Sequence, residues 1–136
     1  MSRGLRAAIA AMVLSAWGSL PSCASEARPD TYLRQEVTEL QKRTIPADSH
    51  LVSNHPPAIQ GWVGRASWEF ESSLSPATYN LWVTSRLKPD FRMHQAANSP
   101  LRSSRYKQGD VEAVSIETAS TSGTIHVAVK VEFCPD

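Results

Sequence analysis

Six basic residues fall between positions 86 and 107: Arg86, Lys88, Arg92, Arg102, Arg105 and Lys107, with Asp90 the one acidic residue among them. Cations at that density suit an anion, whether a phosphate, a lipid headgroup or the acidic surface of a protein partner. The same residues also have a structural reading, as charge protection of an edge strand and as complements to a helix C-terminus. Four histidines offer metal chemistry. His50 and His55 lie in a proline-rich stretch with no Cys or carboxylate placed to complete a tetrahedral site. His94 and His126 fall on polar faces and can meet only if their strands pair. Glu69 and Glu71 share one strand face about 7 Å apart, a spacing compatible with glycoside chemistry. An i,i+2 pair on a solvent face is, however, ordinarily just solvated. There is no G-x-S-x-G elbow, no H-E-x-x-H and no phosphate-cradling glycine loop. The expectation is a non-enzymatic protein without metal or cofactor; a hydrolase with an unrecognised site is an alternative.

The chain opens like an exported protein. Arg3 and Arg6 precede the apolar run Ala7 to Leu20, and small residues follow at Ser22, Cys23, Ala24 and Ser25. Fourteen residues in a helix span about 21 Å, short of the ~30 Å hydrocarbon core, so the run reads as a removable leader. Leu20-Pro21-Ser22-Cys23 resembles a bacterial lipobox. The resemblance implies a signal peptide over 1–22 and Cys23 as the lipidated first residue, with the protein held on the periplasmic or outer side of an envelope membrane. Cleavage after Ala24 would instead give a secreted chain. A Cys23–Cys134 disulfide, permitted in an oxidising compartment, requires cleavage further upstream. Without Cys23, Cys134 is an odd thiol.

Arg3 and Arg6 belong to the leader. Removing them from the 14 basic side chains leaves 12 against 13 acidic ones. A near-neutral chain excludes general nucleic-acid binding, which rests on excess positive charge.

The elements that would position these groups are legible from periodicity. Leu33, Val37 and Leu40 mark a short amphipathic helix whose start Asp30 or Thr31 can cap, with Glu39–Arg43 as an i,i+4 pair. Residues 44–61, with Pro46, Pro56 and Pro57, read as linker, so 23–59 is expected to be a stalk and 60–136 the folded domain. Trp62, Gly64, Ala66, Trp68 and Phe70 alternate with polar residues as in a half-buried strand. Ser75-Pro76 starts a helix that Pro89 stops, with Leu74 and Tyr79 as a hydrophobic staple. Phe91 and Met93 share a strand face. Residues 101–108 read as a polar edge strand, Gln108-Gly109-Asp110 as a turn and ASTSG as a hairpin loop. Ile125, Val127, Val129, Val131 and Phe133 alternate through the last strand.

The fold class is therefore α+β: one main helix on an antiparallel sheet of about 4–5 strands, in the order strand-helix-strand-strand-strand-strand. That order resembles the cystatin-like arrangement. The inhibitor family's Gln-x-Val-x-Gly motif is missing, since residues 60–64 read QGWVG and lie before the helix. The expected function is binding of a partner or anionic ligand through the basic edge formed by the six cations with Trp82. The alternative is a small-ligand carrier with a pocket lined by Trp68, Tyr79, Trp82 and Phe91.

Overall fold

The computed structural model describes Cys23, residues 25–94 and residues 100–135. The expected signal peptide lies outside these residues. The described elements run α1 (Asp30–Thr44), β1 (His50–Gln60), β2 (Val63–Ser72), α2 (Pro76–Leu87), β3 (Arg92–His94), β4 (Leu101–Lys107), β5 (Asp110–Thr121) and β6 (Thr124–Pro135). All strands pair antiparallel in one six-stranded sheet of order β1-β2-β6-β5-β4-β3. The sheet has six strands where 4–5 were expected, and the short amphipathic helix packs on it beside the main one, within the same α+β class.

The central ribbon follows the period-two pattern. Ala66, Trp68 and Phe70 of β2 and the alternate residues Ile125, Val127, Val129, Val131 and Phe133 of β6 are buried with Val114 and Ile116 of β5, against both helices. Trp68 and Tyr79 are fully buried, and each has a partner for its polar atom: Trp68 Nε1 donates to Thr44 Oγ1 at 3.0 Å and the Tyr79 hydroxyl to the Thr44 carbonyl at 2.7 Å. Ser75 caps α2, its Oγ accepting from the Thr78 amide at 3.1 Å, and Pro76 follows at the first helical position. The β5–β6 connection is tighter than the expected ASTSG loop. Strand pairing continues to Thr121↔Thr124, and Ser122 and Gly123 both take positive φ, as a two-residue type I′ hairpin requires.

Four expectations are corrected. Residues 23–59 are not a stalk: Leu33 and Leu40 of α1 are fully buried in the main core. The helix packs so closely on β2 that a Cβ on Gly64 would lie 2.7 Å from Leu33 Cδ1. Pro29, and not Asp30 or Thr31, occupies the α1 N-cap, with no side-chain cap. Most of the presumed linker is strand β1, an edge strand whose register shifts between His55 and Ala58, where Pro56-Pro57 cannot donate to the ladder. Conversely, β4 is an interior strand, and the edge beside it is the three-residue β3.

Cys23 is disulfide-bonded to Cys134. One sulfur cannot carry both this bond and a thioether-linked lipid, and Cys134 is not an odd thiol here. The segment after Cys23 passes the β1–β2 turn, where the Ala27 amide donates to the Gly61 carbonyl at 3.2 Å, and then enters α1.

Candidate anion-binding face

The basic residues divide between the two faces of the sheet. Alternation along β4 turns Leu101, Ser103 and Arg105 toward the helices and Arg102 and Ser104 to the other face. Arg105 is consequently buried. Its guanidinium donates to Glu112 Oε1 at 2.8 Å, Glu36 Oε2 at 2.9 Å and Glu39 Oε1 at 3.2 Å, and it sits over the Phe91 ring. Lys107 Nζ pairs with Glu36 and Glu39 at 3.0 and 2.7 Å. Arg28 Nε meets Asp110 Oδ2 at 3.0 Å, and Arg43 joins Glu39 to Asp90. Five carboxylates (Glu36, Glu39, Asp90, Asp110, Glu112) thus face four cations (Arg28, Arg43, Arg105, Lys107) in the seam between α1 and strands β4 and β5.

That imbalance falls on the deepest carboxyl. Glu112 is fully buried and accepts from the Tyr32 hydroxyl at 3.0 Å. Burial, only partly offset by Arg105 and reinforced by Glu36, pushes its carboxyl up to about 7. Asp110 is raised as well, burial outweighing Arg28. Burial also pushes Glu39 up, but Lys107 and Arg105 outweigh it and hold that carboxyl below the usual range. The Tyr32 phenol is driven upward by burial and then by Glu112. These interactions fasten α1 to the sheet, so Arg105 and Lys107 are occupied as structural counterions.

Arg86 is also engaged. It donates to the Lys42 carbonyl at 3.1 Å and lies over the Trp82 ring, which is half-buried against the core. Trp68, Tyr79 and Phe91, expected to line a ligand pocket, are 0%, 0% and 3% exposed: these rings fill the space between helix and sheet.

Arg92, Arg102 and Lys130 lie on the face away from the helices, which no described helix covers. Strand pairing sets side chains there in rows. One row runs Arg65, Glu132, Ala113, Ser104, Arg92; the next runs Ser67, Lys130, Ser115, Arg102, His94. Rows lie about 7 Å apart and neighbouring strands about 4.8 Å. Arg92 and Lys130 are exposed, and neither makes an ion pair among the described residues, nor does Lys88 at the end of α2. Glu132 is paired with Arg65 at 3.2 Å, and His94 Nε2 bonds Ser104 Oγ at 2.8 Å. Arg92, Arg102 and Lys130 therefore come from three strands to surround the hydroxyls of Ser104 and Ser115. Lys130 went unnoticed in the sequence because it lies on β6, far from the basic run. Its place in the polar half of the alternation was the available signal.

The other candidates do not assemble. β5 and β4 separate His126 from His94, and among the described residues no three His, Cys, Asp or Glu side chains form a group able to hold a metal. Glu69 pairs with His126 at 2.9 Å and accepts from Ser53 at 2.9 Å. The His126 contact holds the Glu69 carboxyl below its usual range.

No family model and no curated protein matches the chain. Among solved structures it is similar to LpqN, described as involved in cell envelope biogenesis of Mycobacterium tuberculosis. That match has 18% identity and a TM-score of 0.44, and covers 68% of this chain and 69% of that one.

Proposed function

We propose that this is an exported, non-enzymatic binding domain of the cell envelope that docks an anionic partner on the uncovered sheet face. The observation that carries the reading is the convergence of Arg92, Arg102 and Lys130 around Ser104 and Ser115, with the nearest carboxylate, Glu132, already paired. Guanidinium and ammonium groups beside small hydroxyls form a shallow, multidentate cradle for phosphate, sulfate or carboxylate oxygens. Export is supported by the leader pattern and by a disulfide that needs an oxidising compartment to persist.

Retention on immobilised dextran sulfate tests the face. The oxidised protein is expected to bind at 25 mM salt and elute as ionic strength rises, with Arg92→Gln/Arg102→Gln/Lys130→Gln losing retention. Equal retention of the folded triple variant refutes the reading. Attachment is read separately from the intact mass of protein isolated from its own host. Retained Cys23 with two hydrogens fewer than the thiol form is the bridged chain. Acyl mass on Cys23 is the lipidated one, and that outcome excludes the bridge.

A further inference from the structure

We infer that the anionic partner is a bilayer surface, met by the half of the uncovered sheet face that surrounds the Cys23–Cys134 bridge; this rests on the binding face proposed above. The face is electrically divided along the strands. The two rows nearer the bridge carry Arg65, Arg92, Arg102 and Lys130 against Glu132 alone, a net of three positive charges. The rows farther away carry Glu69, Glu71 and Glu117, with His126 beside Glu71. Such a gradient orients the domain on a negative plane, the bridge end inward and the acidic end tilted into water.

Beyond the basic rows, at the bridge end, the face turns apolar. Cys134, Val111 and Tyr106 form its last row; Cys134 and Val111 are buried, so the exposed groups at this end are Tyr106 and, at the β1–β2 turn, Trp62. Tyr106 is 70% exposed and Trp62 53%, unusual for rings with a packed core at hand. Tyrosine and tryptophan favour the headgroup layer, where the ring is shielded and the polar atom stays wet. Cations set behind interfacial aromatics are the composition by which a surface adheres to anionic lipid.

The chain's own connectivity points to the same end. Cys23 sits on Cys134 of this row, and the apolar run ends at Leu20, three residues before it. Three residues reach at most about 11 Å. While that run occupies a bilayer, the bridge end is held within that distance of the surface, and the basic rows lie about 7–14 Å beyond it. A soluble acidic protein would meet the cations and cover Tyr106 and Trp62 equally well, but would make no use of the tether.

Sedimentation of the full oxidised chain with vesicles decides the matter. The vesicles are phosphatidylcholine alone or with 30% phosphatidylglycerol, from 25 to 300 mM salt. Binding through the apolar run is common to both lipids, so the increment due to phosphatidylglycerol isolates the face. At about fivefold per cation near the surface, three cations predict an increment of roughly 100-fold at low salt, erased at high salt. Arg92→Gln/Arg102→Gln/Lys130→Gln should abolish the increment and leave binding to phosphatidylcholine unchanged. Brominated lipid should quench tryptophan emission less in Trp62→Phe. Dextran sulfate binding without any phosphatidylglycerol increment overturns the bilayer assignment and leaves the anion-binding face standing; loss of both overturns both.

Discussion

Replacing Glu112 with Gln isolates one buried proton. Glu112 is the fully buried carboxyl of a seam in which five carboxylates meet four cations, and its pKa is raised from 4.5 to about 7 by burial, against the pull of Arg105. A value raised in the folded state means that the native protein holds the proton more tightly than the unfolded chain. Its contribution is therefore whole below about pH 4.5, declines as pH rises and is gone above about 7. At about 1.4 kcal/mol per pH unit, that interval is worth on the order of 3 kcal/mol. For a domain of this size, 3 kcal/mol corresponds to a Tm change on the order of 10 °C. Glutamine keeps the shape, can accept from Arg105 and can donate its amide toward Glu36, yet cannot titrate. Urea unfolding at intervals from pH 5 to 8 should show the wild type losing stability relative to Glu112→Gln as pH rises, by an amount of that order. The comparison cancels the groups that both proteins share, and Glu39 and Asp90, whose pKa values are lowered, act only in more acidic solution. Parallel stability curves across that range would refute a protonated Glu112.

Two other substitutions probe the same frame. Arg105→Met removes the guanidinium that bonds three carboxylates and leaves Glu36 and Glu112 buried with one counterion fewer; urea unfolding at pH 7 should show a loss of about 3–5 kcal/mol, while dextran sulfate binding by the folded fraction is unchanged. Cys23→Ser/Cys134→Ser opens a loop spanning 111 residues of sequence, which the chain-entropy account values at about 4–5 kcal/mol, read as a lower urea midpoint with an unaltered far-UV spectrum in water.

Those elements whose side chains answer only to neighbours in sequence were legible beforehand. The Ser75-Pro76 cap and the alternation from Ile125 to Phe133 each contain their own signal, and the structure realises both. β1 was hidden because its prolines exclude a central strand; at a sheet edge, one side of the ladder needs no donors. The stripe of α1 was visible, but nothing in a narrow stripe names what it packs against. β4 misled for the related reason that an inward arginine is tolerable only with counterions, and beside Glu112 of β5 these come from α1, 66 to 69 positions away. The anion-binding face is likewise a product of strand order. Arg92, Arg102 and Lys130 become neighbours only when β6, β5, β4 and β3 lie side by side.

The bridge from Cys23 to Cys134 also determines how the domain bears load. Tension applied between the chain before Cys23 and the chain after Cys134 runs through two sulfur atoms and bypasses every helix and strand between them. A tug on the leading segment is delivered to β6, the strand flanked by β2 and β5, instead of peeling α1 from its seat. Single-molecule stretching from those two points should record almost no lengthening until a reductant is added, after which the full contour of the fold becomes available to the pulling device.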